Sequence, residues 1–223
     1  MAAVSETVDT RGTRAKLIDV AERLFAEFGV ESVSLRTVGI EAGQRNNSAA
    51  QYHFGSKDGL ITAIIEVRSA DVDARRARLV AALRASAAPP TVPQLIDLLV
   101  VPLVETITAS GERTWYLRFL ANVMDHPMLD APWRPRSDGA DAAGPPDPPG
   151  LRYMHRELRR LLPGLPDAEF ERRLRWQGMT AFRLLADYER QRATTDAAPP
   201  AEQVVADLNA MLTALLQAPH PAA

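Results

Sequence analysis

Ser34 to Leu60 reads SLRTVGIEAGQRNNSAAQYHFGSKDGL. Ser34 stands where a helix N-cap belongs. Val33 before it and Val38 after it have hydrophobic-staple spacing. This predicts a short helix ending near Ala42, with Gly43 behind it. Gln44 to Asn47 forms a polar turn, and a second short helix follows from Ser48 to His53. Gly55-Ser56 stops that helix, and Ser56 can cap the next one. A helix this short cannot stand alone, so it must rest on its neighbours. Its outward residues, Asn47, Ser48, Gln51 and Tyr52, are all hydrogen-bonding types. Asn and Gln can pair with adenine edges in a major groove, and Ser with several bases.

A third helix precedes the pair, from Thr13 to Phe28. Its stripe is Ile18, Ala21, Phe25 and Phe28, widened by Leu17 and Leu24, and Gly29 is placed as a left-handed cap. Three helices with a tight polar turn after a glycine make a helix-turn-helix layout. Downstream the periodicity stays helical and strand signals are almost absent. The expected helices are 57–85, 92–109 with Pro102 inside, 112–125, 151–162, 167–192 and 201–216. Pro102 removes one backbone bond, which should kink its helix and free the Leu98 carbonyl. The Pro-rich stretch 132–150 reads as a mobile loop. The expected fold class is all-α, about nine helices, divided into a disordered arm (1–10), a DNA-binding domain (11–57), a regulatory and dimerisation domain (58–217) and a frayed tail (218–223).

The chain has 223 residues, a formal charge of −2 and no cysteine, so disulfides and thiolate zinc sites are excluded. MAAVSETVDT at the start has no basic residue and no apolar run, so no signal peptide is expected. The most apolar stretch, Leu95 to Ile107, is broken by Asp97 and Pro102 and is too short for a membrane span. A cytoplasmic location is expected. From Asp9 to Leu60 seven basic residues meet seven acidic ones, so a DNA footprint must come from where the positive charges sit.

The segment 11–65 resembles the DNA-binding domain of the TetR family of transcription regulators. The elements that carry the resemblance are FAEFGVESVSLRTVGIEAG, then NNSAAQYHF, then GSKDGL. It implies that Arg45, Asn47, Ser48, Gln51 and Tyr52 face DNA and that Lys57 contacts phosphate, with Arg36 and Thr37 as backbone contacts. A helix N-terminus carrying a lysine attracts phosphate on physical grounds as well. Three features depart from the family pattern. The turn after Gly43 is one residue longer, Gly39 replaces an alanine, and Gly59 stands where a glutamate would complete a capping box with Ser56. Gly39 suggests close approach of the recognition helix, and Gly59 a softer start to the next helix. Two readings stay open for several residues. Asn46-Asn47 form the turn and cap the helix, reach bases, or do both, and Tyr52 is either a reader or half-buried.

Aromatic and Met residues on the later helices serve either as core or as pocket lining. Trp115, Phe119, Asn122, Tyr153, Trp176, Met179 and Arg183 are the candidate ligand contacts. Leu174, Phe182, Leu185, Leu208, Leu212 and Leu215 are the candidate dimer contacts, in a four-helix bundle implied by the resemblance, or else the protomer's own core. The four histidines are scattered. No phosphate loop, metal pair or nucleophilic triad is found, so no catalytic, cofactor or metal role is expected. The expected function is a homodimeric repressor on a palindromic DNA operator, released by a small apolar or amphipathic effector. The alternatives are a regulator or activator without such a ligand, and a helical lipid-binding or enzymatic domain.

Overall fold

The computed structural model describes residues 2–46, 48–109, 113–124, 126, 149–195 and 197–219. Among them every regular element is a helix: α1 (Ala2–Phe28), α2 (Leu35–Glu41), α3 (Ala49–Phe54), α4 (Lys57–Ala85), α5 (Val92–Thr108), α6 (Tyr116–Val123), α7 (Pro149–Leu161), α8 (Asp167–Thr194) and α9 (Ala201–Gln217). No helix among the described residues is long and apolar enough to cross a membrane.

α1, α2 and α3 pack on one another, and α1 and α3 also pack on α4. The core here is Leu17, Ile18, Ala21, Phe25, Val38, Ala50, Leu60 and Ile61, all at most 2% exposed. α1 also lies along α6, which in turn packs on α8. Phe25 of α1 and Phe119 of α6 stack with centroids 6.2 Å apart. α5 sits between α4, α7 and α9. The N-terminal helices and the body are therefore joined through α4 and α6 together.

Two interior polar contacts build the body. Pro102 leaves the Leu98 carbonyl without its intrahelical donor, and Arg76 of α4 supplies one, its Nε donating at 2.9 Å. Arg76 is also paired with Asp73. Burial lowers the Arg76 pKa from its ordinary value. Its stem packs against Gly150, where an added Cβ would sit 2.6 Å from Cδ. The second contact is Glu189 of α8, which is 2% exposed. Its carboxylate accepts from the backbone N–H of Leu117 (3.3 Å) and Arg118 (3.0 Å) and from Arg118 Nε (3.1 Å). It thus caps α6, whose own N-cap residue, Trp115, makes no side-chain cap bond.

Several boundaries differ from the sequence expectation. Residues 2–10, expected as a disordered arm, continue α1; no proline interrupts that stretch and the backbone ladder runs on through Gly12. α6 begins at Tyr116 rather than near Glu112, because its first N–H groups are met by Glu189. Pro149 and Gly150, expected in the loop, form the first turn of α7, and the rest of that stretch, 132–148, lies outside the described residues. A proline at the first helical position is pre-shaped for the helix. Ala218 and Pro219, expected as frayed, are held: the buried Arg173 guanidinium donates to the carbonyls of Leu216 (2.9 Å), Ala218 and Pro219 (3.5 Å).

Candidate nucleic-acid interface

The support for α3 is set by short-range chemistry. Ser34 Oγ accepts from the Thr37 N–H at 3.0 Å, so the expected N-cap is in place. α2 closes in a Schellman motif, with Gln44 N–H on the Gly39 carbonyl (3.0 Å) and Gly43 N–H on the Ile40 carbonyl (2.9 Å). That closure requires the left-handed backbone of Gly43, at φ 68°. Asn46 then makes the turn into α3, its Oδ1 accepting from the Ser48 N–H at 2.9 Å. This Asx turn accommodates the extra residue noted in the sequence. Asn46 thus makes the turn, while Asn47 lies outside the described residues.

α3 buries Ala50 and packs Ala49 and Phe54 against the core, while Ser48, Gln51 and Tyr52 face outward. Tyr52 is 82% exposed, so it is not half-buried against α1. Its ring meets that of His53 edge-on at 5.3 Å. Gln51 Nε2 folds back to donate to the Gly55 carbonyl. Cations ring this helix. The Arg14 guanidinium lies 5.4 Å from the Phe54 ring centroid. Lys16 Nζ approaches the Gly43 turn, 3.6 Å from where a Cβ would stand. Arg36 and Arg45 are exposed. Thr37 is exposed beside them, its hydroxyl 2.8 Å from that of Ser34. Lys57 is partly buried, and Nζ donates to the Val30 carbonyl at 2.9 Å, tying the start of α4 to the loop after α1.

Two of the three sequence departures have a structural reading. Ser56 caps α4 through the Gly59 N–H at 3.0 Å. Gly59 has no room for a side chain: its Cβ would fall 2.1 Å from the Phe54 carbonyl oxygen. The α3–α4 corner is closed by backbone contact, and the expected softer start is corrected by that fit. Gly39 is buried in α2.

The candidate ligand contacts are not gathered into one place. Phe119 and Tyr153 are buried in the core, Trp176 is 49% exposed, and Arg183 is exposed. Asn122 Nδ2 instead donates to the Phe25 (2.8 Å) and Ala26 (3.2 Å) carbonyls at the end of α1. Trp115 lines a cleft of about 630 Å³ between α1, α4, the end of α5 and the start of α6. A groove of about 790 Å³ between α5 and α9 is lined by none of the seven. Of the candidate dimer contacts, Leu174, Phe182, Leu185, Leu208 and Leu212 are buried within the protomer, and Leu215 is half-buried. Their exposed neighbours on α8 and α9 are Trp176, Leu184 and Met211.

The sequence reading missed two polar atoms on the inner face of α8. Gln177 Nε2 and Tyr188 Oη are buried without a hydrogen-bond partner among the described residues. The signal was available: Phe170, Leu174, Gln177, Ala181, Leu185 and Tyr188 form one stripe at helical spacing, with a lone glutamine in it.

Residues 17–64 match the sequence model described as "Bacterial regulatory proteins, tetR family". No curated protein matches the chain. Among solved structures, AmtR from Mycobacterium smegmatis is 21% identical over 93% of this chain and 87% of its own, at a TM-score of 0.46. The fatty acid degradation regulator FadR from Bacillus halodurans is 14% identical over 92% of this chain and 96% of its own, at 0.48. A TetR-family transcriptional regulator from Pectobacterium atrosepticum is 19% identical over 94% and 95%, at 0.39. Overlaps at that level define neither an operator nor an effector. The matched segment runs from α1 through the capped start of α4 and contains the Schellman turn, the outward polar α3 and the Ser56 cap. The N-terminal module, residues 17–64, is thus what this chain shares with the bacterial regulatory proteins of the tetR family.

Proposed function

We propose that this regulator is a homodimeric repressor whose α3 helices enter the major grooves of a palindromic operator, and that a small-molecule effector releases it. The observation that carries the DNA half is the exposure of Ser48, Gln51 and Tyr52 on a six-residue helix held by α1, α2 and the α4 corner. Arg36 and Arg45 flank that face and have no acidic partner among the described residues. Half-sites roughly 34–36 Å apart, or a multiple, would suit such a dimer. The exposed Trp176, Leu184 and Met211 supply an apolar face for the pairing of α8 and α9. The effector half is supported by Gln177 and Tyr188, since a buried donor left unpaired costs roughly 1–3 kcal/mol that a ligand could offset.

The DNA reading is tested by salt titration of operator binding with wild type and Arg45→Ala. Log affinity should fall linearly with log salt, and the variant's slope should be shallower by about 0.9 for the one phosphate contact removed. Identical slopes would take Arg45 out of the interface. A flat salt dependence in wild type would contradict DNA binding by this face.

A further inference from the structure

The cleft of about 630 Å³ lies where the N-terminal helices meet the body, with α1 and α4 on one side and the end of α5 and the entry to α6 on the other. Tyr116 lines it, is 7% exposed, and makes no hydrogen bond through its hydroxyl among the described residues. Burial first, and the nearby Glu22 carboxylate second, push the phenol pKa well up, so the hydroxyl remains a donor at neutral pH. The hydroxyl meets no protein acceptor among the described residues and stands at the cleft wall, where an acceptor that enters the cleft can reach it.

The rest of the lining is rich in donors. Four arginines (Arg23, Arg68, Arg75, Arg113) and three carboxylates (Asp19, Glu22, Asp71) line the cleft, with Arg23 held by Glu27 and Glu41 and Arg75 by Glu105. Arg68 binds Glu22 Oε2 at 2.6 Å through Nε and Asp19 Oδ1 at 2.7 Å through Nη2, which leaves Nη1 unused. Arg113 donates to the Ala193 carbonyl at 2.8 Å and has no acidic partner among the described residues. Val20, Ala109 and Trp115 add apolar wall beside these groups.

We infer that this cleft binds a small organic carboxylate, its oxygens on the Tyr116 hydroxyl and the Arg68 and Arg113 guanidiniums and its apolar part against Val20 and Trp115. Such a ligand would join α1 and α4 to the start of α6, and so bear on how the recognition helix is held. That regulatory consequence rests on the operator-binding reading above; the binding itself does not.

The test is isothermal titration of the full chain with benzoate and with benzamide, its neutral isostere, using wild type, Tyr116→Phe and Arg113→Gln. Benzoate should bind wild type, and benzamide should bind at least about tenfold more weakly, because guanidiniums favour the charged group. Tyr116→Phe should weaken benzoate about tenfold while the circular dichroism spectrum stays unchanged. Arg113→Gln, on the exposed rim, should weaken it several-fold. No benzoate binding, equal binding of benzamide, or unaltered affinity in both variants would overturn the site. Operator affinity is then measured with saturating benzoate. A shift in wild type that disappears in Tyr116→Phe supports the regulatory link. Benzoate binding that leaves operator affinity unchanged would overturn that link and leave the site standing. A chain that binds benzoate but no DNA would sink the operator reading instead.

Discussion

Glu189→Ala is expected to lower the unfolding free energy by roughly 3–5 kcal/mol, the cost of removing one partner from a buried ion pair. The substitution leaves Arg118 partly buried without its acid, and the N–H groups of Leu117 and Arg118 without an acceptor. α6 has only eight residues and no cap of its own, so it depends on this carboxylate for its first turn. The effect should travel. At its other end α6 holds the Phe25 and Ala26 carbonyls through Asn122, and loosening α6 frees the C-terminus of α1 that supports α2 and α3. Glu189→Gln retains one acceptor and should lose less. Urea unfolding measures both, and a loss below about 1 kcal/mol for the alanine variant would show that α6 is positioned by packing alone.

Gly59→Ala is the second large effect, and its sign is opposite to what helix propensity suggests. Alanine for glycine in a helix usually gains up to about 1 kcal/mol. Here the new methyl would meet the Phe54 carbonyl oxygen, which is backbone and can move only by opening the α3–α4 corner. A loss of roughly 3 kcal/mol is expected, as for an overpacked site. Operator binding should be lost with it, because the corner sets the angle at which α3 is presented. Guanidinium denaturation with a parallel DNA titration checks both. A variant more stable than wild type would show that the corner yields at little cost.

What the sequence made legible follows the range of the chemistry. The Ser34 cap, the Gly43 turn, the Ser56 cap and both ends of α4 are set by residues within a few positions of each other. The orphan carbonyl of Leu98 could also be anticipated, since Pro102 creates it locally. Its donor could not: Arg76 is on another helix, 22 positions away. Glu189 likewise reads as one more charge on a polar helix until α6 lies against it. Apolar stripes mislead for a related reason. Periodicity shows which face is apolar but not what covers it, so Leu185 and Leu212 read equally as interface or as the protomer's core, and they are buried within the protomer. Trp176 reads as either core or pocket lining, and it is 49% exposed. Gln177 and Tyr188 break the inner stripe of α8, and only burial distinguishes them from surface polar residues.

The claim that α3 reads base edges is tested most directly by selecting bound sequences from a random DNA pool with wild type and Gln51→Ala side by side. The Gln51 amide rests on the Gly55 carbonyl and must leave it to reach a base. A bidentate contact from glutamine to adenine discriminates by roughly 1–3 kcal/mol. Wild type should therefore enrich a palindrome, and the variant should enrich the same palindrome with one position per half-site relaxed. No enrichment by a folded wild-type dimer at low salt, or an identical motif from both proteins, would contradict the account.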